Sequence, residues 1–109
     1  MADTPTNAQQ VFDAMPGRFN KAAAMGLKAT YQFDLSGDGG GVWHINIDND
    51  KCDVVKGAAN APNITLSMTA SDYVDMSTGK LNGQMAFMSG KLRISGDMGL
   101  AMRFAALFQ

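Results

Sequence analysis

A chain of 109 residues, 46% of them hydrophobic and 17% charged, is too apolar for intrinsic disorder and short enough to make one domain over its whole length. Nine Lys and Arg against ten Asp and Glu leave a net charge of −1, which excludes the clustered positive footprint of a nucleic-acid binder. One cysteine and one histidine exclude an intrachain disulfide and a cysteine-rich metal site, so neither a metal ion nor a cofactor is expected.

Thr6-Asn7-Ala8-Gln9 reads as a capping box, in which a hydroxyl and a carboxamide reciprocally satisfy the free amides of a helix start. Val11, Phe12 and Met15 then share one face. Pro16 suits the first turn of a second helix, which Phe19, Ala22, Ala23 and Met25 continue and Gly26 stops. The expectation is a helical hairpin over 7–25. The period then changes from helical to two, the signature of strands. In KATYQFDLS, Tyr31, Phe33 and Leu35 alternate with Thr30, Gln32 and Asp34; in VWHINID, Trp43, Ile45 and Ile47 alternate with His44, Asn46 and Asp48. Glycines at 37 and 39–41 make the loop between them. Lys51 to Gly57 is a third strand that alternates less cleanly. After a loop at 58–62, Ile64, Leu66 and Met68 mark a fourth.

Thr69-Ala70-Ser71-Asp72 is a second capping box, opening a helix through Tyr73, Val74 and Met76 that Gly79 ends. Gln84 to Met88 is a short helix, Lys91 to Ile94 a fifth strand, and 98–108 a last helix. The order ααββββααβα describes an α+β fold: a five-stranded, mostly antiparallel sheet with about five helices on one face and water on the other.

Little in this arrangement points to catalysis. His44 falls on the polar face of its strand, with Asp48 four residues on but no third ligand or sheltered partner. Cys52 has no Cys-x-x-Cys companion and reads as an inert thiol. Gly37-Asp38-Gly39-Gly40-Gly41 joins two strands and so lacks the strand–helix setting of a phosphate loop. The chain is therefore expected not to be an enzyme. The first residues show neither a basic nor an apolar signal region, no run approaches the ~20 apolar residues of a membrane span, and the last three residues are not a peroxisomal address. A cytoplasmic location is the expectation.

The ending is the unusual part. From Met98 to Phe108 only Gly99 and Arg103 are not apolar. Met98, Met102 and Ala105 share one side of this helix, and Leu100, Phe104 and Leu107 another. A helix apolar all round needs cover all round, and a terminal helix can lay only one side on a sheet. Other helices, a second subunit or a lipid would cover the rest. Methionine suits surfaces that repack around varied ligands, and Gln84-Met85-Ala86-Phe87-Met88 adds the same chemistry nearby.

The run from Gly79 to Met102, GKLNGQMAFMSGKLRISGDMGLAM, resembles the C-terminal signature of the sterol carrier protein 2 domain family: Gly-Lys-apolar-Asn-x-Gln-x-Ala-Phe, then Gly-Lys-Leu-basic-apolar-x-Gly-Asn or Asp-Met-Gly-Leu-Ala. Residues 40–47 and 64–73 resemble its second strand, fourth strand and following helix. The resemblance implies a single domain over 1–109 with a hydrophobic tunnel between sheet and helices, and non-catalytic binding and transfer of fatty acids, fatty acyl-CoA, sterols or other apolar lipids inside the cell. It implies a lining of Phe87, Met88, Met98, Met102 and Ala105 over a floor of Phe33, Trp43 and Ile45; Arg103 is either near the mouth, for an acyl carboxylate or a CoA phosphate, or, the simpler reading, a solvated surface arginine. Expected partners are the lipid, a transient membrane surface and at most a weak second copy, with no nucleic acid. The alternatives are an interaction or dimerisation module using the C-terminal helix, or an accessory domain to a lipid-metabolising enzyme. Gly83 stands where the family usually carries proline.

Overall fold

Alternation at 28–69 builds the sheet, and the helices cover the face on which its apolar residues fall. The computed structural model describes residues 6–107, apart from the side chains of Ala105 and Ala106. In chain order the elements are α1 (Ala8–Arg18), β1 (Lys28–Ser36), β2 (Gly41–Asp48), β3 (Lys51–Lys56), β4 (Ile64–Thr69), α2 (Ala70–Ser77), α3 (Gly83–Met88), β5 (Arg93–Gly96) and α4 (Met98–Leu107). The sheet order is β3-β2-β1-β4-β5. β1 runs parallel to β4, and the other three pairings are antiparallel. Register sets Trp43, Phe33, Leu66 and Ile94 in one row across four strands, and Ile45, Tyr31 and Ile64 in the next. Tyr31, Phe33, Trp43, Ile45 and Ile64 are all buried.

The β3–β4 connection must cross three strand spacings, about 14 Å. It does so over the polar face. The Nδ1 of His44 lies 2.8 Å from the Gly57 carbonyl, and the Gln32 carboxamide oxygen accepts from the Ala59 amide at 2.9 Å. Because a carbonyl only accepts, Nδ1 carries the proton. The polar residues of β1 and β2 are thus a bed for this strap as well as a wet surface. Asn63 ends it: its amide donates to Thr30, its side chain accepts from the Thr30 amide, and its carbonyl accepts from the Asp97 amide.

The expected helical hairpin is one helix. α1 runs through Pro16 to Arg18, and residues 21–26 form turns. Pro16 lies in the last turn, where its missing N–H removes one bond from a helix about to end. Met15, just before it, is buried and accepts a bond from the Tyr73 hydroxyl. Four helices, not five, are therefore present among the described residues. The capping box is also shifted by one: Asn7 is the cap, accepting from the Gln10 amide, and the Gln10 side chain returns to Thr6. The fifth strand begins two residues later than expected, because the amides of Lys91 and Leu92 both turn back to the Ala86 carbonyl. Phe108 lies outside the described residues.

Candidate functional site

Phe12 organises the helix layer over one half of the sheet. Its ring stacks on Trp43 at 4.7 Å and Tyr73 at 5.0 Å and meets Phe33 edge-on at 5.5 Å. Over the other half lies α4. Phe104 packs 5.5 Å from both Tyr31 and Phe33, and the Tyr31 hydroxyl donates to the Leu100 carbonyl at 2.8 Å. Leu100 and Leu107 are buried. This is the side of α4 that the i, i+4, i+7 pattern sets apart from its methionines.

The methionine side faces outward. Met98 is 46% exposed and Met102 83%; on α3, Met85 is 67%, Phe87 43% and Met88 77% exposed. α3 holds only one buried residue, Ala86. The expected site residues therefore separate. Phe33, Trp43 and Ile45 lie together, fully packed, on the inner face of the sheet. Phe87, Met88, Met98 and Met102 lie at the outer surface of the helix layer. The side chain of Ala105 lies outside the described residues.

Arg103 is exposed, and its Nη2 donates to the Ala23 carbonyl at 3.4 Å, tying α4 to the turn after α1. Burial pushes the Tyr31 hydroxyl up to about 12, with the Arg103 charge opposing and the Asp97 charge reinforcing the shift. Burial likewise pushes the Cys52 thiol up to about 11, helped by Asp53, which keeps it protonated and unreactive at neutral pH.

A cleft of about 300 Å³ opens where α1 meets the sheet edge, lined by Gln9, Phe12, Asp13, Trp43, Cys52, Val54 and Lys56 among others. Lys56 pairs with Trp43 in register, and its ammonium sits 5.4 Å from the indole centroid. The indole Nε1 is buried without a hydrogen-bond partner. Sequence reasoning missed this feature, although its signal was there: a lysine at an inner-face position is what spoils the alternation of β3. A second cleft, about 370 Å³, lies under the strap beside Thr30, His44 and Asn46. Among the described residues no group of three or more His, Cys, Asp or Glu is placed to hold a metal ion, and no helix is long and apolar enough to cross a membrane.

The model of the SCP-2 sterol transfer family matches residues 8–109. The chain belongs to this family. Among similar proteins, the hydroxysteroid dehydrogenase-like protein 2 of Xenopus laevis is 42% identical over 96 residues, covering 87% of this chain and 23% of that protein. The chain spans about a quarter of the length of the curated relatives it matches. Sterol carrier protein domain 2 of Helicoverpa armigera superposes with a TM-score of 0.70 at 31% identity, covering 91% of this chain and 80% of that one. A palmitated SCP2L2 from Aedes aegypti also gives 0.70, at 22% identity, covering 91% and 88%. This second likeness establishes the fold alone. The SCP-2 fold thus places an aromatic sheet face beneath α4 and leaves the methionines of α3 and α4 outside.

Proposed function

We propose that this SCP-2 domain binds and carries an apolar lipid, of the fatty-acid or acyl-thioester class, between the inner sheet face and helices α3 and α4. The observation that carries the reading is α4 itself: apolar on two sides, with Leu100, Phe104 and Leu107 spent on the core and Met98 and Met102 uncovered. The Aedes aegypti relative carries palmitate on the same fold. The floor of Phe33, Trp43 and Ile45 is closed in the present arrangement, so the ligand enters by displacing a helix. α3 is the one to move, since a six-residue helix held by one buried side chain has little to lose. Each methylene taken from water contributes about 0.8 kcal/mol before ordering costs, so a long acyl chain outweighs that displacement. The methionines of α3 and α4 then fold over the chain as its wall.

The domain's part is carriage, not chemistry, and in the longer relatives it accompanies a dehydrogenase-like protein as an accessory unit. A cytoplasmic setting belongs to the same proposal, and the free Cys52 thiol is compatible with a reducing interior. Titration of delipidated protein with a fluorescent fatty acid tests the reading. Saturable one-site uptake is expected, about tenfold weaker in Met102→Glu because a carboxylate must then meet the acyl chain; no uptake by the folded wild-type domain would reject it.

A further inference from the structure

Nine methionines in 109 residues are divided sharply by burial. Met15 and Met68 are buried, and Met76 packs against the core. Met25, Met85, Met88, Met98 and Met102 are exposed, Met102 to 83%. Four of these five belong to the last two helices, as pairs that helical spacing sets on one face: Met85 with Met88 on α3, and Met98 with Met102 on α4. The lipid-carrier reading makes these four part of the wall over a bound acyl chain. Their thioethers carry a chemistry that carriage does not use. A peroxide oxidises a thioether to a sulfoxide, which turns a flexible apolar side chain into a polar one.

The position of these sulfurs decides what oxidation does. In the empty domain they already face water, so an added S–O dipole stays hydrated and costs the fold little. Against an acyl chain the same dipole loses its water without gaining a hydrogen-bond partner, which is unfavourable. Oxidation therefore penalises the lipid-bound arrangement alone. Leucine at these positions would give an equally apolar wall without that response. The reverse coupling follows, since a bound chain covers the sulfurs and slows the attack on them. Met25, 79% exposed in the turn after α1, lies outside the wall and is an internal reference. Cys52, the one thiol, is half-buried and raised to about 11, so little of it is the thiolate that peroxide attacks.

We infer that Met85, Met88, Met98 and Met102 form an oxidative modification site, through which a peroxide lowers the domain's hold on its lipid. In each step the sulfur lone pair attacks one peroxide oxygen, and an S–O bond forms as the O–O bond breaks. Sulfur gives up two electrons, and the second oxygen leaves as water, or as an alcohol from an organic peroxide. No proton is gained or lost overall. The inference rests on the lipid-carrier reading and adds a regulation of that same site, and it can fail while that reading stands.

Treatment of the delipidated full chain with hydrogen peroxide, followed by site-resolved mass spectrometry, fatty-acid titration and urea unfolding, is the test. Met85, Met88 and Met102 should oxidise first and Met98, 46% exposed, later, while Met15 and Met68 stay reduced in the folded domain. Uptake of a fluorescent fatty acid should weaken about tenfold with the urea midpoint unchanged, and methionine sulfoxide reductases of both stereospecificities should restore it. Loading with unlabelled fatty acid beforehand should protect the four methionines but not Met25. The quadruple variant Met85→Leu, Met88→Leu, Met98→Leu, Met102→Leu should show the same uptake before and after peroxide. Undiminished uptake by wild-type protein carrying all four sulfoxides would overturn the inference and spare the carrier function. A loss that persists in the quadruple variant, that the reductases do not reverse, or that tracks a lowered urea midpoint would do the same. No uptake by the folded, reduced wild-type domain would take the carrier reading down and the inference with it.

Discussion

Gly96 shows how a single residue secures the edge of this sheet. It adopts φ 112°, and a Cβ there would press on the backbone of Asn63 and Ile64. Only glycine lets β5 come so close to the residue that already clips β1, β4 and the start of α4. Gly96→Ala should therefore cost about 2 kcal/mol or more, read as a lowered midpoint in urea. Glycine order in the signature was visible in the sequence; the reason for it was not, because Asn63 is remote in the chain. Gly90, in the same signature, meets nothing within 4 Å and needs only its positive φ. Tyr31 is a second informative residue. Its hydroxyl is raised from 10.0 to about 12 chiefly by burial, and buried Tyr73 is raised further for the same reason. A folded value above the unfolded one means that stability is fully present below pH 10 and is lost as pH climbs through 12. Alkaline titration of the urea midpoint should show that decline. Tyr31→Phe should make it shallower, while costing roughly 1 kcal/mol at neutral pH through the bond lost to Leu100.

α4 carries two kinds of work on two faces. Phe104 touches Tyr31 and Phe33, so Phe104→Ala should cost about 2–3 kcal/mol, whereas Met102→Ala, on the exposed face, should stay within about 0.5 kcal/mol. Thermal or chemical unfolding of the two variants separates them. This division was legible in the sequence from helical spacing alone, and β1, β2 and β4 from alternation, which fixes the side chains that face inward; β3 was blurred by its inner-face Lys56 and β5 was expected two residues early. The α1 hairpin was not. Pro16 and Gly17 carry the same local signals whether a helix ends or passes through them, and only Met15 and Tyr73, 58 residues apart, decide that it continues. The crossover strap was likewise invisible: His44, Gln32 and Thr30 read as wet because their partners, Gly57, Ala59 and Asn63, lie in a loop whose path no local pattern encodes.

On the scale of the whole molecule, the fold spends its aromatic residues on one layer and leaves its methionines on the outside of another. The floor and wall expected from the family resemblance are both present as residues, but they lie on separate layers, with the core side of α4 between them. A bound lipid would join them. Uncovered methionines do not help a domain that only needs to fold, because they offer no burial. Titration of the delipidated wild-type domain with a fluorescent fatty acid tests the central claim most directly. The account predicts saturable uptake at one site per chain, reversed by unlabelled fatty acid; a folded domain that takes up none would contradict it.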